Sequence, residues 1–144
     1  MILLDANLLL YAYNQESAQH EKARAYLERV LNGEDWVGLP WTSAWAFLRI
    51  STHRQIFRIP FTAEEACEIV SSWSDCPNVR LLGPGQRHWV YLQRLILAGQ
   101  VQGALVMDAV LAALALEQGG EIETCDRDFA RFQEVVWRNP LERP

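Results

Sequence analysis

Short apolar runs alternate with helix-patterned segments from one end of the sequence to the other, and this alternation constrains the fold more than any other feature. Ile2-Leu3-Leu4 ends in Asp5-Ala6-Asn7, a buried strand running straight into a turn or helix start. His20 to Leu31 places Ala23, Tyr26, Leu27, Val30 and Leu31 on one helical face and stops at Asn32-Gly33. Trp36 to Leu39 is a second strand closed by Pro40, and Thr42 or Ser43 caps a helix reaching about His53. Thr62-Ala63-Glu64-Glu65 has capping-box spacing, which predicts a helix from Ala63 to about Trp73. Val79 to Leu82 is a third strand before Gly83-Pro84-Gly85, and His88 to Ala98 is a helix stopped at Gly99. Leu105 to Gln118 is a nearly all-apolar helix ended by Gly119-Gly120, after which Glu121 to Cys125 alternates like a strand. Asp128 to Phe132 makes a short helix and Val135 to Trp137 an edge strand. Parallel strands need crossovers long enough to hold a helix, so the pattern predicts an α/β fold with a mostly parallel central sheet and helices on both faces. Ligands of such sheets gather at the carboxyl ends of the strands, where Asp5 and Asp126 lie.

With 144 residues, 50% of them hydrophobic, the chain supports one sizeable core, and residues 1–144 read as a single domain. Repeats, linkers and low-complexity stretches are absent from the sequence. The longest apolar stretch, Ala104 to Leu116, is broken by Asp108 and is shorter than the roughly 20 residues that cross a bilayer, so it reads as a buried helix without a membrane role. Met1 leads directly into the first strand with no targeting segment, and the expected location is the cytoplasm. Cys67, Cys76 and Cys125 are odd in number and lack metal-site spacing, which predicts free, partly buried thiols. A net charge of -5 argues against holding nucleic acid by bulk electrostatics. An acidic nuclease needs another source of positive charge, and a divalent cation held by carboxylates supplies it.

Asp5, Asp108 and Asp126 each follow or open an apolar element, where a solvated charge is not ordinarily placed. Burying an unpaired carboxylate is costly, so either each acid is a structural cap or they share a cation. For Asp108, near the start of an apolar helix, the structural alternative is capping and helix-dipole stabilisation.

Ile2-Leu3-Leu4-Asp5-Ala6-Asn7-Leu8-Leu9-Leu10-Tyr11-Ala12 resembles the opening of PIN domains. Met107-Asp108-Ala109 with Leu111 to Ala115 resembles their third acidic motif, and Thr124-Cys125-Asp126-Arg127-Asp128-Phe129 the closing one. Trp137 to Leu141 is similar to the ending of VapC-type toxins, so the resemblance spans Ile2 to about Leu141. It implies a three-layer α/β/α fold and hydrolysis of RNA phosphodiesters by metal-activated water. Under it Asp5 matches the first metal-binding Asp, Asp108 the Asp on the facing helix, and Asp126 the fourth-motif acid. Asp128 is a further ligand or the cap of the short helix before Phe129. Asn7 and Thr124 match polar positions that orient the acids through hydrogen bonds. Mg²⁺ suits an all-oxygen donor set, and Mn²⁺ substitutes for it. The implied partners are an RNA substrate, a VapB-like antitoxin that inserts into the active-site groove, and a second copy of the chain in a homodimer.

One position departs from the pattern. Most PIN nucleases carry Glu-x-x-Arg in the helix after the second strand, and here Ala46-Phe47-Leu48-Arg49 stands in that place. With that acid missing, one firmly held cation is expected, and a second would lack ligands unless RNA phosphate supplied them. Arg49, His53, Arg54 and Arg58 form one basic run and Arg87, His88 and Arg94 another; Arg49 and Arg54 are candidate RNA contacts, the alternative being a solvated face. Of the tryptophans, most are expected in the core, with some left to stack on bases or anchor a partner. Beside the toxin ribonuclease stands a catalytically weak binding module for antitoxin or RNA, for which Ala46 is the motive. A DNA or flap nuclease is disfavoured by the lack of DNA-binding arms. A phosphatase is disfavoured by Asn7, where a second Asp would be needed.

Overall fold

In the computed structural model, which describes residues 1–142, every apolar run that reads as a strand joins one sheet. The strands are β1 (Ile2–Leu4), β2 (Val37–Pro40), β3 (Val79–Leu82), β4 (Glu121–Glu123) and β5 (Trp137–Arg138). The helices are α1 (Ala6–Tyr13), α2 (His20–Leu31), α3 (Trp41–Ser51), α4 (Ala63–Ser74), α5 (His88–Gly99) and α6 (Leu105–Gln118), with a 3₁₀ turn at Arg127–Arg131. The sheet order is β3-β2-β1-β4-β5, and every pairing is parallel.

Successive side chains of a strand face opposite sides of a sheet, and the helices sort accordingly. Leu3 and Ile122 face the layer made by α5, α6 and the 3₁₀ turn, where Leu95, Leu111, Leu114 and Phe129 are buried. Leu4, Val37 and Leu39 face the layer that includes Leu8, Leu27, Phe47 and Trp73, drawn from α1 to α4. The two layers and the sheet make the three-layer α/β/α architecture. Gly38 lies where Leu3 and Leu82 close over β2; a Cβ there would come within 2.6 Å of Leu82 Cδ1.

Edge-to-face aromatics join the helices of the second layer. The ring of Phe47 lies 5.5 Å from Tyr13 and 4.7 Å from Trp73, whose indole N–H donates to the Tyr13 hydroxyl. Each such pair contributes about 0.5–1.5 kcal/mol beyond its buried area. Together they fix α3 against α1, which matters because the two helices flank the site described below.

Several boundaries differ from the sequence reading. Of the turn or helix start expected after β1, the helix start is the one found, Asp5 opening α1 directly. Neither Thr42 nor Ser43 caps α3; β2 runs directly into the helix through Pro40, and the Ser43 hydroxyl donates to the Leu4 carbonyl instead. α3 ends at Ser51, short of His53. β4 ends at Glu123, because the Cys125 N–H turns away to the Asn7 side chain. Val135 belongs to the core rather than to β5. Trp73 is buried, whereas Trp36, Trp41, Trp45 and Trp89 are exposed, so the expectation of mostly core tryptophans fails. Cys76 and Cys125 are partly buried, Cys67 is exposed, and all three thiols are free.

Glu123 is a fully buried acid that periodicity alone does not flag. It pairs with Arg138 on the adjacent strand, and Arg138 also reaches Glu121 at 3.0 Å. Burial opposes the charge on Arg138, but the hydrogen bond and attraction of Glu123, helped by Glu121, win and raise its pKa. Burial and then the neighbouring Glu123 carboxylate push the Tyr26 phenol upward, so it stays neutral. Among the described residues, no helix is long and apolar enough to cross a membrane.

Candidate active site

Asp5 is the N-cap of α1 in extended conformation, and its Oδ1 accepts the Ala6 N–H at 2.7 Å. Its Oδ2 accepts the Thr124 hydroxyl at 2.7 Å and the Asn7 side-chain amide at 3.0 Å. Asn7 in turn accepts the Cys125 N–H, and the Thr124 hydroxyl oxygen accepts the Asp126 N–H at 2.9 Å. The carboxyl ends of β1 and β4 are thereby tied into one polar network. Burial raises the pKa of Asp5, as does the Asp126 carboxylate, against the lowering effect of the Thr124, Ala6 and Asn7 hydrogen bonds.

Asp126 caps the 3₁₀ turn: its Oδ1 accepts the Asp128 N–H at 2.8 Å. The capping role that the sequence allowed for Asp128 therefore belongs to Asp126, and the Asp128 side chain is left exposed. Asp108 lies in the first turn of α6, whose N-cap is Ala104. Among the described residues its carboxylate accepts no hydrogen bond, so it does not cap. Burial, then repulsion from Asp126, Asp5 and Asp128, lifts its pKa to about 6, with Arg131 acting in the opposite sense.

One carboxylate oxygen each from Asp108, Asp126 and Asp128 lie within 4.8 Å of one another. Asp5 is outside this closest group yet near enough to act on Asp108 and Asp126 electrostatically. The sequence reading gave Asp128 the smaller share; the geometry gives it a place equal to Asp108. Three oxygen donors of like charge, two of them on side chains that accept no hydrogen bond among the described residues, form a donor set that fits a hard divalent cation. Cys125 adds no nucleophile, since burial, Asp5 and Glu142 push its thiol up to about 11.

A groove of about 450 Å³ opens beside the acids, lined among others by Asp5, Trp45, Ala46, Arg49, Met107 and Asp108. Ala46 stands within it, so the carboxylate missing from the sequence pattern is missing from the groove lining. Arg49 lines the groove, whereas Arg54 lies on the exposed connection between α3 and α4, outside the lining. The second basic run is engaged elsewhere. Glu117 accepts the N–H groups of Gly85 and Arg87 and faces His88, while Arg94 pairs with Glu134. Sequence reasoning did not single out Trp45 or Met107 at the site. Their signal was proximity in sequence to Ala46-x-x-Arg49 and to Asp108.

The model of the PIN domain family matches residues 2–135. This chain belongs to the PIN domain family. Among curated PIN-domain relatives it is 35% identical over 142 residues to VapC ribonuclease Mb2897 of Mycobacterium bovis, covering 99% of this chain and 97% of that one. It is 39% identical over 140 residues to ribonuclease VapC37 of Mycobacterium tuberculosis, covering 97% of each. Within the PIN family the chain therefore groups with the VapC ribonucleases. Its PIN fold superposes on a chain of VapBC2 from Rickettsia felis, solved bound to a DNA fragment from their promoter, with a TM-score of 0.70 at 14% identity over 96% of this chain and 98% of that one.

Proposed function

We propose that this chain is a Mg²⁺-dependent endoribonuclease, the toxin of a VapBC-type pair, formed by one domain over residues 1–144 and acting in the cytoplasm. The observation that carries the reading is the meeting of Asp108, Asp126 and Asp128 oxygens within 4.8 Å, next to Asp5 at the carboxyl end of the central strand. Kinship with proteins named VapC ribonucleases over nearly the full length supports RNA as the substrate.

Asp5, Asp108, Asp126 and Asp128 would hold the cation, with Mn²⁺ an acceptable substitute. When bound, the ion lowers the pKa of a water and offsets charge growing on the phosphoryl oxygens. Thr124 and Asn7 fix the orientation of Asp5 and leave it little freedom to turn away. Asp126 is held by its own capping bond, so its second oxygen keeps a set direction. Arg49 offers a guanidinium to an RNA phosphate entering the groove, and Arg54, farther along the same segment, extends the contact.

A VapB-like antitoxin is the proposed inhibitory partner, supported by the likeness to a VapBC chain. A homodimer is the proposed assembly. Cleavage of an RNA pool in Mg²⁺ or Mn²⁺ tests the reading, with Asp108→Asn as control; equal cleavage by the two proteins would remove it. Ala46 supports a second reading, a binding module with little catalysis. Absence of both metal binding at millimolar Mn²⁺ and cleavage of any RNA would select that one.

A further inference from the structure

Trp45 is 60% exposed, on the lip of the same groove that holds Asp5 and Asp108. A large indole left in water next to a site is unusual for core-forming sequence, and the other tryptophans have different surroundings. Trp73 is buried, Trp36 lies under the Arg80 guanidinium, and Trp137 packs against the core. The Trp45 ring is backed by Trp41, the two being stacked at 6.4 Å with an interplanar angle of 26°. That support holds one indole face in place and leaves the remainder facing the groove. Met107, 54% exposed and directly before Asp108, adds a polarisable thioether to the lining.

Arg49 lies four residues after Trp45, on the same side of α3, and lines the same groove. Among the described residues it has no ion-pair partner, in contrast to Arg24, Arg58, Arg94, Arg127 and Arg138. It is also the one cation of the groove lining among those residues. Ala46 lies between the two and leaves the floor open where a longer acid would fill it. An aromatic face and an unpaired guanidinium in a groove that Asp5 and Asp108 also line, with Asp126 and Asp128 close to Asp108, match the repeat unit of single-stranded RNA, a base beside a phosphate.

We propose that Trp45 is a stacking platform for an unpaired base next to the bond being cut, with Arg49 holding the adjoining phosphate. The proposal rests on the ribonuclease reading for the identity of the reaction, but concerns where the substrate is gripped. Stacking accepts every base and favours purines by area, so this subsite selects for single-stranded, splayed-out RNA and grades the bases without reading their edges.

The test is steady-state cleavage of single-stranded RNA octamers in Mg²⁺ by wild type, Trp45→Phe, Trp45→Ala and Arg49→Gln, with sedimentation of each protein. Trp45→Ala is expected to raise KM about tenfold or more with kcat changed little, and Trp45→Phe to keep most of the affinity. Arg49→Gln is expected to lower the magnitude of the log–log salt slope of binding by about 0.7. Equal KM for wild type and Trp45→Ala overturns the proposal. So does a Trp45→Ala protein whose only change is a halved mass, which would assign the indole to contact between copies of this chain. If wild type cuts neither the octamers nor an RNA pool, the ribonuclease reading fails by itself. Fluorescence-anisotropy binding of the same octamers then decides the subsite, tighter binding by wild type than by Trp45→Ala sustaining it and equal binding overturning it.

Discussion

Asp126 receives the backbone N–H of Asp128 on its side chain, and the same bond brings the two carboxylates to one place. A cap and a ligand pair are therefore built from a single turn. Asp128→Asn should weaken Mn²⁺ binding by about tenfold or more while leaving stability nearly unchanged, because its side chain supports no backbone group. Asp126→Ala should do both: weaken Mn²⁺ binding and cost about 1 kcal/mol through the lost cap. Calorimetric Mn²⁺ titration and urea unfolding separate the two effects.

Asp108 carries a proton more tightly in the folded protein than in the unfolded chain, its pKa rising from 3.8 to about 6. The metal-free protein is accordingly most stable when this group is protonated, and loses that stability as pH rises from about 4 to about 6. Asp5 adds to the loss in the same direction. Asp108→Asn should stabilise the metal-free protein at pH 7, by on the order of 1 kcal/mol because the carboxylate is only half-buried and partly screened. Below about pH 4 the gain should vanish. Thermal melts with chelator across pH 3–8 would show it, and Mn²⁺ affinity should fall as pH drops through about 6.

Thr124 donates to Asp5 and accepts from Asp126, so one hydroxyl aligns two acids. Thr124→Val keeps the shape and removes these two bonds together with the one that the hydroxyl accepts from the Asn7 side-chain amide. The expected result is a loss of about 10–100-fold in metal affinity or activity, with Thr124→Ser restoring most of it. A variant equal to wild type in both would show that the hydroxyl does not orient the site.

Glu117 closes the loop before α5 by accepting two backbone N–H groups, and a Cβ on Gly85 would collide with its carboxylate. Glu117→Ala should cost about 1 kcal/mol by removing two hydrogen bonds that fix an exposed loop, with metal affinity unchanged. Gly85→Ala should destabilise by displacing the same carboxylate. Equilibrium unfolding in urea measures both.

Ala46 gives an experiment on metal count. Ala46→Glu places a further carboxylate in the groove, so it should lower the stability of the metal-free protein by repulsion and raise Mn²⁺ affinity. A stoichiometry moving from one ion towards two, read by calorimetry, is the expected outcome; an unchanged titration would mean that the added acid points away.

Much of the architecture was legible because its signals are local. Strand runs such as Val79–Leu82 and the Thr62–Glu65 capping box depend on neighbours in sequence, and both appear where expected. What escaped depends on contacts across the fold. The start of α3 is set by the end of β2 and by Ser43 reaching Leu4, which no cap pattern encodes. The burial of Glu123 is tolerated because Arg138 is the next strand's residue at that register. At the site, the acids stood out by their odd placement after apolar runs. Which of Asp126 and Asp128 caps the turn was settled by backbone geometry, and the exposure of Trp45 by the packing of α3 against α1.

The bond between Thr124 and Asp5 joins positions 119 residues apart, and β1 is flanked in the sheet by β4 from the far end of the chain. A ribosome making this protein therefore emits the first acid long before the residues that orient it. Until β4 has been synthesised and has paired with β1, the nascent chain has Asp5 without Thr124, Asp126 or Asp128. Topology thus acts as a timer, delaying assembly of the acidic site until nearly the whole chain has been made.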